Sequence, residues 1–204
     1  MCVSAFCASA WSADTERECA LTPYGLPPIP ADQLDYALNS KLINEEFEAI
    51  KDLCRADVGL QRCVDDSAVL DSCLTVGSFL EVNYTVSDAF GLARLHRQNR
   101  FRCGAGLNAF LNNFDCIAEV LERDGSELGD LEANFVRDVQ TSPSNADCSL
   151  LHVLLLRVTA LYGSCTPAAR YYACELSRIG ATRAYVAGCR DVWFCSPDGP
   201  VEGA

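Results

Sequence analysis

Residues 148–162 read Cys148-Ser-Leu-Leu-His-Val-Leu-Leu-Leu-Arg-Val-Thr-Ala-Leu-Tyr162, and this stretch decides the fold. Leu and Ala dominate and almost every position is apolar, which predicts one helix buried over most of its circumference. Fifteen residues rising 1.5 Å each give roughly 22 Å, short of the roughly 30 Å of a bilayer core. The segment is therefore expected to be a core helix and not a membrane span. Gly163 supplies its stop, and Thr166-Pro167 restarts the chain with an N-cap followed by proline at the first helical position.

Working outward, Glu127 to Val139 has Leu128, Leu131, Phe135 and Val139 at helical spacing. Further helical signals run from Ser87, read as a cap, through Phe90, Leu92 and Leu95, and from Leu107 to Leu121, with an interruption at Gly104 and Gly106. Two helices are expected between Asp32 and Asp57, divided at Asn44, from Leu34, Leu38, Phe47 and Ile50. Phe79 to Val86 alternates like a strand, but a lone strand has nothing to pair with, so a loop is the better reading. After Pro167 one helix should end at Gly180 and another at Cys195, with 196–204 a loose tail. No sheet assembles from the remainder. The fold class is all-α, a disulfide-stapled bundle of short helices around one apolar core helix.

The first 13 residues carry no charge and include Ala8-Ser9-Ala10, which fits a secretory leader or a truncated one. Residues 14–31, with five Pro and Gly between Pro23 and Pro30, read as an extended arm. The cysteine-rich helical domain is then 32–195, with a division into 32–100 and 101–195 left open. A net charge of −12 argues against nucleic acid as a partner, because a polyanion calls for a basic footprint.

Thirteen cysteines are spread along the chain with no Cys-x-x-Cys pair and only two histidines, so disulfides in an oxidising compartment are expected in place of zinc sites. The expected bridge cysteines are Cys54, Cys63, Cys73, Cys103, Cys116, Cys148, Cys165, Cys174, Cys189 and Cys195. A straight helix holds Cys148 and Cys165 about 20–25 Å apart, so each must tie to a different element. A turn at Gly180 would bring Cys174 near Cys189 and Cys195 near Cys165. The total is odd, so at least one cysteine stays unpaired within the chain; Cys19 on the arm is the candidate for a free thiol or for the bridge of a covalent homodimer.

Phe101-Arg-Cys-Gly-Ala-Gly-Leu-Asn-Ala-Phe-Leu-Asn-Asn-Phe-Asp-Cys116, followed by the cysteines from 148 to 195, resembles the chondroitin proteoglycan 4 type domain and related secreted cysteine-rich helical domains of nematodes. The resemblance spans roughly the C-terminal half and implies an extracellular helical protein, in some members carrying chondroitin chains in the egg covering. No Ser in these 204 residues is followed by Gly, the dipeptide that accepts such chains.

No catalytic, cofactor-binding or metal constellation is recognisable, and no cofactor is expected. His152 reads as a half-buried side chain of the core helix and His96, among arginines, as solvent-facing. Asn83-Tyr84-Thr85 is the one N-glycosylation acceptor sequence. Arg94, Arg97 and Arg100 fall within one arc of roughly 120° on a helix, which suits an anionic group, although pairing with the chain's own carboxylates carries more weight. The reading as a whole is a secreted binding or structural glycoprotein with an extracellular protein or glycan as partner; a helical carrier of a lipid is the alternative.

Overall fold

The computed structural model describes residues 31–64, 74–81, 84–141 and 148–203, and the chain divides into two compact units with the boundary between Cys103 and Gly104. The fold is mostly helical, with one small hairpin.

The first unit contains α1 (Ala31–Val64), α2 (Val76–Glu81) and α3 (Val86–Cys103). Where two helices were expected, α1 is continuous. Leu34, Leu38, Leu42, Ala49, Ile50 and Leu53 make one buried stripe across Asn44, and that burial outweighs the weak helix propensity of asparagine. Instead of capping, the Asn44 amide donates back to the Ser40 carbonyl at 2.8 Å. Thr85, and not Ser87, caps α3: its hydroxyl accepts from the Asp88 backbone N–H at 3.1 Å and donates to the Asp88 carboxylate at 2.6 Å. Phe79 to Glu81, expected in a loop, lie in α2, where Phe79 is buried edge-to-face against Tyr84 at 5.5 Å.

α1 and α3 run in the same direction. At their first turns the Ala31 backbone N–H donates to Asp88 at 2.9 Å and Ala31 abuts Gly91; one turn on, Asp35 pairs with Arg94 at 2.5 Å; further along both helices, Cys54 is bonded to Cys103.

The second unit contains α4 (Leu107–Leu111), α5 (Phe114–Thr141), α6 (Cys148–Leu161), α7 (Pro167–Ala184), a 3-10 turn at Ala187–Cys189, and strands β1 (Trp193–Ser196) and β2 (Gly199–Glu202). The expected helix Glu127–Val139 is the second half of α5, whose buried stripe Ile117, Val120, Leu131, Phe135 and Val139 keeps the helical repeat past Gly125 and Gly129. α6 packs against both α5 and α7 and contributes Leu151, Leu154, Leu155 and Val158 to the core, each side chain worth about 1.5–3 kcal/mol when fully buried. Its burial is one-sided, however: Ser149, Val153, Leu156, Arg157 and Ala160 are exposed, where burial over most of the circumference was expected. Thr166 caps α7 by accepting from the Ala169 N–H, with Pro167 at the first helical position as read from sequence.

The C-terminal segment departs most from expectation. α7 runs through the buried Gly180 to Ala184, and the residues expected as a last helix and a loose tail form an antiparallel hairpin that packs on α6 and α7. Trp193, Phe194 and Cys195 favour a strand, and Pro197-Asp198 makes a two-residue turn. Gly199 follows at φ +127°, a conformation open to glycine. The Ser196 hydroxyl donates to the Gly199 carbonyl at 2.7 Å, and the Gly203 N–H closes the base by donating to Val192 at 2.7 Å.

Candidate functional site

Four disulfides organise the described residues: Cys54–Cys103 in the first unit, and Cys116–Cys165, Cys148–Cys189 and Cys174–Cys195 in the second. They join residues 49, 49, 41 and 21 apart, and in the chain-entropy account each restricts the unfolded chain by about 3–4 kcal/mol. Cys148 and Cys165 do tie α6 to different elements, the 3-10 turn and the start of α5. The pairings expected around a turn at Gly180 are wrong. Because α7 continues to Ala184 and the hairpin folds back along it, Cys195 reaches Cys174, Cys189 reaches Cys148, and Cys165 is left to Cys116. Cys19, Cys73 and Asn83, together with the side chain of Cys63, lie outside the described residues.

The arginine arc of α3 is largely inside the first unit. Arg94 and Asp35 form an ion pair with side chains only 15% and 20% exposed, so Arg94 follows the weightier expectation of pairing with the chain's own carboxylates. Arg97 and Arg100 are half-buried, and Arg102 is buried with its guanidinium donating to Asn99 at 3.0 Å. His96 is buried, contrary to expectation. It lies four residues after Leu92, on the same face of the helix, and that periodicity outranks the polarity of its neighbours. Asp88, at the head of α3, has its carboxyl held below the ordinary range by the Thr85 hydroxyl and then by the Ala31 N–H.

Among the described residues of the second unit, exposed apolar side chains stand on α6 and on the hairpin. Val153 and Leu156 on α6 are 50% and 47% exposed, and Phe194 and Val201, paired across the hairpin, 40% and 47%. His152 is half-buried as expected, and its ring lies parallel to that of Trp193 with centroids 3.9 Å apart, which fixes α6 to β1. Behind Phe194 stands Arg178, its guanidinium 5.6 Å from the ring centroid. Arg178 is already occupied: it makes a two-point contact to Glu175 at 2.6 and 2.7 Å and donates to the Arg190 carbonyl at 3.1 Å. Glu175 accordingly raises the pKa of Arg178, while burial, and then Glu175, raise that of Tyr171. Arg170 supports the hairpin turn through the Pro197 carbonyl at 3.2 Å. Phe194 and Val201 thus share one face of a hairpin that is braced by Arg178 on that side and by the Trp193–His152 stack on the other.

Sequence reasoning found His152 but not its partner, because the hairpin was missed. The Pro197-Asp198-Gly199 turn signature was the available signal. Among the described residues no group of three or more His, Cys, Asp or Glu side chains is placed to hold a metal ion, and no helix is long and apolar enough to cross a membrane. No family model, curated protein or solved structure matches the chain.

Proposed function

We propose that this chain is a secreted extracellular protein that acts by binding or as a structural element, without a catalytic centre. Its disulfides support an oxidising compartment, since bridges of this density are unusual where thiols are kept reduced. The observation that carries the binding role is the exposed apolar pair Phe194 and Val201 on a hairpin tied to α7 by Cys174–Cys195, with Val153 and Leu156 exposed on α6. A rigid site loses less entropy on association than a mobile one. The resemblance to nematode cysteine-rich domains supports an extracellular matrix or egg-covering setting for this reading; the partner proposed is an extracellular protein or glycan, and the Asn83-Tyr84-Thr85 acceptor sequence supports an N-glycan.

Native mass spectrometry of the protein from its own source tests this. The expected species is the oxidised polypeptide with N-glycan and no lipid. Stoichiometric lipid that survives desalting would transfer the assignment to the carrier class. Turnover in a hydrolase or redox screen that disappears on His152→Ala would overturn the non-catalytic assignment.

A further inference from the structure

The four disulfides differ in how a reductant can use them. Thiol–disulfide exchange needs a reachable sulfur to attack and a partner sulfur that can leave as a thiolate, and burial in apolar surroundings disfavours that thiolate. In the second unit every bridge has one buried end: Cys165 is 6% exposed, Cys174 0% and Cys189 0%. Attack at the half-exposed Cys116, Cys148 or Cys195 must expel one of those buried sulfurs. Cys116 and Cys148 lie in the first turns of α5 and α6, where the helix dipole favours a leaving thiolate. Each is bonded, however, to a sulfur the reductant cannot reach.

Cys54–Cys103 has no such protection. Both residues are half-buried, so neither end of this bridge is enclosed as Cys165, Cys174 and Cys189 are. Cys103 is the last residue of α3 and is followed by the exposed Gly104 and Ala105, so cleavage frees the C-terminal end of that helix from α1.

We infer that Cys54–Cys103 is a thiol-responsive latch: the described bridge that opens first in a mild reductant, releasing the end of α3 from α1 at Cys54 while the second unit keeps its three bridges. In the first step a dithiol's thiolate attacks one sulfur and forms a mixed disulfide, and the other sulfur leaves as a thiolate. The dithiol's second thiol then closes its own disulfide and frees the remaining cysteine. One dithiol is oxidised and one bridge becomes two thiols. The first turns of α1 and α3 stay joined through Asp35–Arg94 and Ala31–Asp88, so the change is an opening at one end and not loss of the helix pair.

The full oxidised chain, with any free thiols blocked beforehand, is treated with graded dithiothreitol, quenched with a second alkylating reagent and mapped by peptide mass spectrometry. Cys54 and Cys103 should take up the second label at least about tenfold faster than Cys116, Cys148, Cys165, Cys174, Cys189 and Cys195. Equal or earlier labelling of any of those six overturns the assignment. Hydrogen exchange on the half-reduced protein supplies a second reading. Protection should fall around residues 50–58 and 98–103 and stay unchanged in α6 and α7; loss of protection in α6 at that stage also refutes the latch.

Discussion

Gly91→Ala is the substitution with the clearest physical consequence. A Cβ built at Gly91 would lie 2.5 Å from the Ala31 Cβ, whereas carbon atoms in van der Waals contact sit at about 3.5–4.0 Å. α1 and α3 must therefore separate by about 1 Å at their first turns, where the Ala31 N–H meets Asp88 at 2.9 Å. Overpacking of this kind costs about 1–3 kcal/mol, and weakening a hydrogen bond to a carboxylate adds up to about 1.5 kcal/mol at a partly exposed site. Against this, alanine in mid-helix gains about 1 kcal/mol over glycine. The sum runs from about zero to about 3.5 kcal/mol of net loss, centred on about 2 kcal/mol. Gly125→Ala and Gly129→Ala in α5 are the controls, since a Cβ at either position meets nothing within 4 Å; each should stabilise by about 0.5–1 kcal/mol. Urea unfolding of the oxidised protein, followed by hydrogen exchange in α3 and α5 separately, measures both. Adding Ala31→Gly to Gly91→Ala removes the colliding methyl and should restore part of the loss. If Gly91→Ala proves stabilising, as the two control substitutions should, or the double variant is no better than the single, the close crossing of α1 and α3 is refuted.

Thr166→Ala removes the α7 cap and the hydroxyl's hydrogen bond to Asn113, and should cost about 1 kcal/mol, read as a lower Tm; an unchanged Tm would remove the cap from the energetic account. The lowered Asp88 carboxyl contributes stability that is present above the unfolded carboxylate range near about pH 4 and is lost as pH falls through the lower folded value, so Asp88→Asn should flatten the acid limb of the stability profile below that pH while leaving its shape near neutrality unchanged. His152→Ala uncovers one face of the Trp193 indole and should shift its emission to the red; no shift would mean that the stack does not persist in solution. Treatment with an amidase specific for N-linked glycans should lower the mass of material from a eukaryotic secretory pathway by one glycan at Asn83, and an unchanged mass would dismiss that site.

What could be read from the sequence divides along physical lines. Helices whose apolar stripe is continuous were legible: α6 and the Thr166-Pro167 start of α7 stand where leucine spacing and cap chemistry put them, because both signals are local. Breaks were overcalled at Asn44 and around Gly125, where a residue of weak propensity sits beside a stripe long enough to carry the helix through. The hairpin was missed for the opposite reason. Four-residue strands give too short an alternation to register, and what holds them is non-local: Trp193 on His152, Cys195 on Cys174, and Phe194 beside Arg178.

The same distinction explains the site. That Cys148 and Cys165 could not meet followed from the rise of one helix, whereas their true partners depended on where α7 ends and how the chain returns. Composition likewise gave Arg94 its charge but not Asp35, which lies 59 residues away. Which face of α6 stays exposed was therefore beyond the sequence, since α6 reads as apolar all round. Only the tertiary fold decides that Leu155 is enclosed while Val153 and Leu156 are exposed. The one-sided exposure belongs to the packed unit, in which α5, α7 and the hairpin cover one side of α6 and the bridges Cys148–Cys189 and Cys174–Cys195 tie the returning chain to α6 and α7.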